Sequence, residues 1–141
     1  MSWIALAAFA ALSYALYYIL VKLSSGHIHQ ILGAFVLQGV AALTGGVLVG
    51  ALKLGGRPLA AAPRGLLLAA LAGLAVGAAE ILTFYLFERG APASQATAVI
   101  IGGSVALAAL LGMVLLREPL TLRSGLGIGF VLAGVALLAG R

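Results

Sequence analysis

Cysteine is absent from the 141 residues, and only three side chains are acidic: Glu80, Glu88 and Glu118. Without thiols there is neither a disulfide framework nor a thiolate metal site, and the redox compartment leaves no trace in the sequence. Charged residues make up 8% of the chain and hydrophobic ones 64%, with a mean hydropathy of +1.24. A soluble domain carries about a quarter charged residues. Here there are too few polar side chains to cover a water-facing surface, so the solvent is lipid. The length indicates one domain, residues 1–141. The net charge is +5, but the eight basic residues stand singly at the ends of apolar runs. No basic stripe exists for nucleic acid, and these residues read as topology signals at the headgroups. A cleavable leader needs a basic n-region and a small-residue cleavage site. Met1-Ser2-Trp3-Ile4 has no charged side chain, and the first apolar run ends at Lys22 without such a site. It is expected to be a retained span.

About 20 apolar residues cross a bilayer. Five stretches qualify, 3–21, 31–52, 65–87, 93–116 and 122–139, so the expected fold is an all-α bundle of five transmembrane helices. Turn chemistry separates them. Ser24-Ser25-Gly26-His27 follows the first; Gly55-Gly56-Arg57-Pro58 and Pro63-Arg64 divide the second from the third. Gly90 suits a helix C-cap, Pro92 the first turn of the next helix, and Thr121 an N-cap. Every loop is short, which leaves no water-soluble domain to hold an active site. Lys53, Arg57, Arg64, Arg117 and Arg123 fall on one side, against Lys22, Arg89 and Arg141 on the other. The larger group shares its side with the N-terminus, predicting a cytoplasmic N-terminus in a prokaryotic inner membrane. So small a bias leaves both insertions feasible.

Glu80 is the one ionisable residue deep within a span. It stands roughly 24 Å along the helix from Arg64 and about 12 Å from Glu88. A charge in the hydrocarbon costs at least ~2.5–3.5 kcal/mol, so the side chain should face a bundle interior or a cavity. There it can carry a coupling proton or pair with a cationic substrate; the plainer alternative is a bonded structural carboxyl that stitches helices together. Ser13, Tyr14, Tyr17 and Tyr18 share one face of the first span. They read either as an aromatic belt or as a wall able to hold organic cations or planar solutes. Gln38, Gln95, Thr97 and Ser104 complete the polar set. A buried Gln38 amide requires a partner, whereas Thr97 and Ser104 can bond their own helix.

Gly73-x-x-x-Gly77 permits close approach of another backbone, and Gly102-Gly103 allows either a mid-helix bend or a packing contact. In the fifth span Gly125 and Gly129, with Gly127 and Gly134, read as a packing or dimer surface. His27-Ile28-His29 is a poor metal site without further ligands, and Glu88 and Glu118 each adjoin an arginine, so solvated ion pairs are expected. No phosphate loop, nucleophile–base pair or cofactor motif is present. Neither an enzyme, a cofactor nor a bound metal is expected.

Three stretches carry a resemblance: Phe87-Glu88-Arg89-Gly90-Ala91-Pro92-Ala93-Ser94; Leu115-Leu116-Arg117-Glu118-Pro119-Leu120-Thr121; and the segment from Gly127 through Gly129 to Gly134-Val135. With Gly102-Gly103-Ser104 between the first two, the chain resembles the drug/metabolite transporter superfamily, in particular its EamA-type five-helix repeat. Arg117 stands where that pattern more often has glycine. The resemblance implies a transporter of small molecules built from two five-helix halves of opposite orientation, with the cavity between them. The related small multidrug resistance proteins have four spans and use a first-span glutamate. The first span here has no acid, so that site does not carry over. The expectation is therefore a secondary transporter or facilitator of a small metabolite or organic solute. It would act as a homodimer, parallel or antiparallel, or with a paralogous half, with Glu80 as coupling group and Tyr14, Tyr17, Gln38 and Thr97 along the solute path. The rivals are an accessory membrane subunit and a flippase subunit for a lipid-linked carrier.

Overall fold

A computed structural model describes residues 2–140, so Met1 and Arg141, the latter one of the counted basic residues, lie outside the described residues. The described residues form five helices and no strand: α1 (Trp3–Ser24), α2 (Gln30–Leu54), α3 (Pro63–Glu88), α4 (Ala93–Leu115) and α5 (Leu122–Ala139). Each is long and apolar enough to cross a membrane. The protein is a multi-pass membrane protein whose helices contact the bilayer.

Helix ends follow capping rather than hydropathy. Ser2 starts α1 by accepting from the Ala5 N–H at 3.3 Å. At the far end Ser24 and Ser25 return their hydroxyls to the carbonyls of Val21 and Lys22, at 3.0 and 2.8 Å, which carries α1 three residues past the expected end. Pro63 opens α3, where a missing N–H is no loss. Thr121 caps α5 as expected, accepting from Ser124 N–H at 3.1 Å. Gly90 has φ +86° and follows the C-cap Arg89, and Pro92 stands one residue ahead of α4 instead of in its first turn. Helix α4 runs unbroken through Gly102-Gly103, so this pair marks no unwound segment.

The chain divides into two compact units between Gly90 and Ala91. In the first, α3 packs against both α1 and α2. Its buried side chains are Tyr18 and Val21 from α1, Gln30, Gly33 and Ala34 from α2, and Thr83, Phe84 and Phe87 from α3. All lie toward the membrane face where α1 ends, α2 begins and α3 ends. In the second unit α4 and α5 form an antiparallel hairpin, with Val131 and Val135 packed against Gly102: a Cβ there would fall 2.1 Å from Val135 Cγ2. Arg117, at the turn, adopts φ +55°, the left-handed conformation that glycine takes without strain. The Glu118 N–H then returns to the Gly112 carbonyl at 3.2 Å and closes α4.

Candidate functional site

In α3 Glu80 sits one turn before the buried Thr83 and Phe84, half-buried on the side that meets α1. The Tyr17 hydroxyl donates to Glu80 Oε2. This bond joins two helices across 63 residues of sequence, and it satisfies a phenol and a carboxyl that lipid would leave without partners. Tyr17 is itself held by aromatic neighbours one and three residues away. The Tyr17 and Tyr18 rings lie 4.7 Å apart, and Tyr14 meets Tyr17 edge-on at 6.2 Å and 86°. Such offset and edge geometries are the favoured ones for ring pairs. The three rings therefore form one patch, with Tyr18 buried, Tyr17 half-buried and Tyr14 59% exposed. Tyr17 and Glu80 are brought together directly; Tyr14 reaches them through the rings.

Gln38 lies elsewhere, on the α2 face that meets the earlier part of α3. It is half-buried, and its amide covers Gly77: a Cβ on Gly77 would come within 3.3 Å of Gln38 Oε1. Of the Gly73 and Gly77 pair only Gly77 has a neighbour this close; a Cβ on Gly73 would meet nothing within 4 Å. A cleft of about 520 Å³ runs past Gln38 between Phe35, Ala42 and Ile81. Thr97 is half-buried in α4, in the other unit. Ser104 bonds the Ile101 carbonyl of its own helix at 2.8 Å. In α5 a Cβ on Gly127, Gly129 or Gly134 would meet nothing within 4 Å, and one on Gly125 would touch only Leu120 of the preceding turn.

Two features were not legible in the sequence. The first is a polar clamp at the closed end of the first unit. Lys22 Nζ donates to the Phe87 carbonyl at 3.2 Å, with the ammonium 5.5 Å from the Phe87 ring centroid. A cation on the last carbonyls of α3 meets the negative end of its dipole. Beside it, Gln30 Nε2 donates to Glu88 Oε2, so Glu88 is engaged by α2. An acid and an amide 58 positions apart carry no spacing signal. Glu118 likewise turns back, its Oε2 3.1 Å from where a Cβ on Gly112 would stand.

The second feature is a groove between α1 and α2, of about 660 Å³, floored by Phe84 of α3. Leu16, Tyr17, Leu20 and Val21 form one wall; Val36, Leu37 and Val40 form the other. Its only other polar side chains, Ser13 and Ser24, bond carbonyls of their own helix at 3.0 Å. Ser13, Leu16, Tyr17 and Leu20 on one wall, and Gly33, Val36, Leu37 and Val40 on the other, have the i, i+3, i+4, i+7 spacing of one helix face. The groove is thus an apolar slot whose one polar margin is the Tyr17 ring on its way to Glu80.

Five apolar spans, a carboxyl held within one of them by a neighbouring helix, and an apolar slot alongside define a polytopic helical membrane protein equipped to handle solutes. Residues 1–140 match the EamA-like transporter family, and the chain belongs to that family. Its members are membrane transporters of small solutes, not enzymes. No curated protein and no solved structure matches the chain.

Proposed function

We propose that the protein is a secondary transporter of a small organic solute, coupled to protons through Glu80, and that the whole chain acts as one transmembrane domain. One observation carries this reading: Glu80, the one carboxyl away from the span ends among the described residues, is half-buried and accepts a hydrogen bond from Tyr17 of a neighbouring helix. An ionisable group kept at membrane depth by a specific partner is the usual mark of a proton or solute path. Tyr17 then acts as a competitor. A proton taken up at the carboxyl displaces its donor bond, frees the phenol and loosens α1 from α3. Tyr14, Tyr17 and Gln38 line the solute path of the first unit in this scheme, and Thr97 is the polar group that the second unit contributes to transport.

The active form is a pair of five-helix chains, either an inverted homodimer or this chain with a paralogous half. An odd span number and a five-to-three split of basic residues make opposed insertion feasible. Gly125, Gly127, Gly129 and Gly134 supply the contact, since small residues let helices approach closely in lipid. The N-terminus is cytoplasmic in the majority orientation in a prokaryotic inner membrane.

The test is solute-driven proton movement in proteoliposomes. Glu80→Gln, which keeps the shape and loses the titration, should abolish coupling; coupled transport at the parent rate would remove Glu80 from the mechanism. Tags on both termini, probed in intact cells, should report two orientations for an inverted homodimer.

A further inference from the structure

Gln38 carries a hydrogen-bonding group that the fold leaves unused. Its amide is half-buried, about 12 Å along α2 from Gln30, and no described residue bonds it. Gly77 gives the amide room to lie against α3, since a Cβ there would come within 3.3 Å of Gln38 Oε1. The contacts Gln30–Glu88, Gly33–Phe84 and Gln38–Gly77 fix an antiparallel register for α2 and α3. That register levels Gln38 with Glu80 to within about one helical turn. Beside the amide opens the cleft of about 520 Å³, a volume within the range that holds a small ligand. Its walls are Ile31, Phe35, Gly39 and Ala42 of α2 and Ile81 of α3, and none of them is charged. Glu80 is turned the other way, toward Tyr17 of α1.

An acyl chain in this cleft would leave the amide unpaired in hydrocarbon, a cost that a hydrogen-bonding guest removes. A charged guest would give up its hydration to apolar walls that supply no counter-charge. The Gln38 amide presents a carbonyl acceptor and N–H donors side by side. Its complement is an uncharged group with a donor and an acceptor in the same arrangement. We infer that the cleft binds an uncharged solute through a carboxamide edge paired with Gln38, the apolar body of the solute lying against Phe35 and Ile81. The inference rests on the transporter reading above and names its substrate class. Recognition and coupling then fall to different helices at one depth: Gln38 of α2 reads the solute, and Glu80 of α3 takes the proton.

The experiment uses full-length protein in phosphatidylglycerol vesicles and phenylpropanamide bearing a diazirine on its ring. Irradiation should label the peptides holding residues 31–42 and Ile81. The matched N,N-dimethylamide keeps the carbonyl but has no donor, and should label them about tenfold less, the worth of one hydrogen bond. The matched ammonium and carboxylate should label no better than the dimethylamide. Gln38→Met keeps the length of the side chain without its donor and acceptor, and should erase the preference. Gly39→Leu, at a position where a Cβ meets nothing within 4 Å, should fill the cleft and suppress labelling with the amide still in place. Equal labelling by amide and dimethylamide, stronger labelling by the ammonium, or a preference that survives Gln38→Met overturns the inference. Unselective labelling of the parent protein, with cross-linked dimer lost in Gln38→Met, reassigns the amide to pairing and overturns it too. A pH dye in the same vesicles separates the two readings. Unselective labelling beside proton coupling that Glu80→Gln abolishes sinks the carboxamide assignment alone. Amide-selective labelling without proton movement sinks the coupling scheme alone.

Discussion

Replacing Gly33 by alanine should destabilise the first unit although alanine is the better helix former. A Cβ at this position would stand 2.5, 2.8 and 3.0 Å from Phe84 Cε1, Cζ and Cδ1. Carbon contacts are optimal at about 3.5–4.0 Å, so the overlap is close to 1 Å against three atoms of one rigid ring. Phe84 is only 3% exposed, and its neighbour in sequence, Thr83, is buried as well. The ring cannot swing into open space; either it shifts into the groove it floors, or α2 and α3 move apart. Overpacking of this kind costs about 1–3 kcal/mol. Higher helix propensity returns about 0.8–1.0 kcal/mol. The net expectation is a loss of up to about 2 kcal/mol. Gly45 in the same helix is the control: a Cβ there meets nothing within 4 Å, so Gly45→Ala should keep the propensity gain. The two variants should then differ by about 1–3 kcal/mol in the same helix. Thermal midpoints of detergent-solubilised protein, read by loss of the monodisperse chromatographic peak, rank the pair. Phe84→Leu added to Gly33→Ala should recover part of the loss. A Gly33→Ala protein as stable as Gly45→Ala would mean that α2 and α3 do not meet through this ring.

The remaining expectations concern single contacts. Gly102→Ala should destabilise the α4–α5 hairpin by up to about 2 kcal/mol net of the propensity gain, because its Cβ would overlap Val135 Cγ2 at 2.1 Å. Gly127→Ala in α5 should be harmless to the monomer and act only on pairing, which cross-linking would read. Arg117→Gly should stabilise the hairpin by about 1 kcal/mol, since φ +55° strains a side chain but not glycine. An unchanged or lowered midpoint would show that the turn carries no such strain. Tyr17→Phe removes the donor to Glu80 while keeping the ring, so proton movement should uncouple from solute while the α1 fold persists in circular dichroism. Lys22→Met should loosen the end of α3 by about 0.3–1 kcal/mol through loss of the cation at its last carbonyls.

The spans were readable because lipid imposes a length and a composition on any helix that crosses it; α5 runs over the expected 122–139. The end of α1 and the start of α3 were not, because hydroxyl caps and a proline decide them. Ser24 and Ser25 prolong α1, and Pro63 opens α3 two residues before the apolar run. Glu80 could be singled out since its desolvation penalty is local and large. Its partner could not, because Tyr17 is one of three tyrosines within five residues of the same helix and nothing in their spacing ranks them. Glycine spacing guides only in part to contacts within the chain. Small-xxx-small spacing nominated Gly73 with Gly77 and the α5 series, whereas Gly33, Gly77 and Gly102 have the closest neighbours on other helices. Spacing reports a smooth helix face, but only the opposing side chain, Phe84, Gln38 or Val135, makes that face a contact.

The burial pattern of the first unit bears on how Glu80 is reached. Its buried residues fall within Tyr18–Val21, Gln30–Ala34 and Thr83–Phe87, at one membrane face, where Lys22 and Gln30 also clamp the end of α3. Toward the other face, the first half of α1, the second half of α2 and the first half of α3 contain no buried residue. Water would not tolerate that arrangement. Lipid does, because apolar side chains gain little by leaving acyl chains for one another. Glu80 stands three residues beyond the last buried position, at the border of the two regions. A carboxyl deeper in the packed end would be fixed but unreachable; one further out would be reachable but without Tyr17 to hold it. At the border it has a partner on one side and an approach on the other, as the proposed exchange of phenol and proton at one pair of oxygens requires.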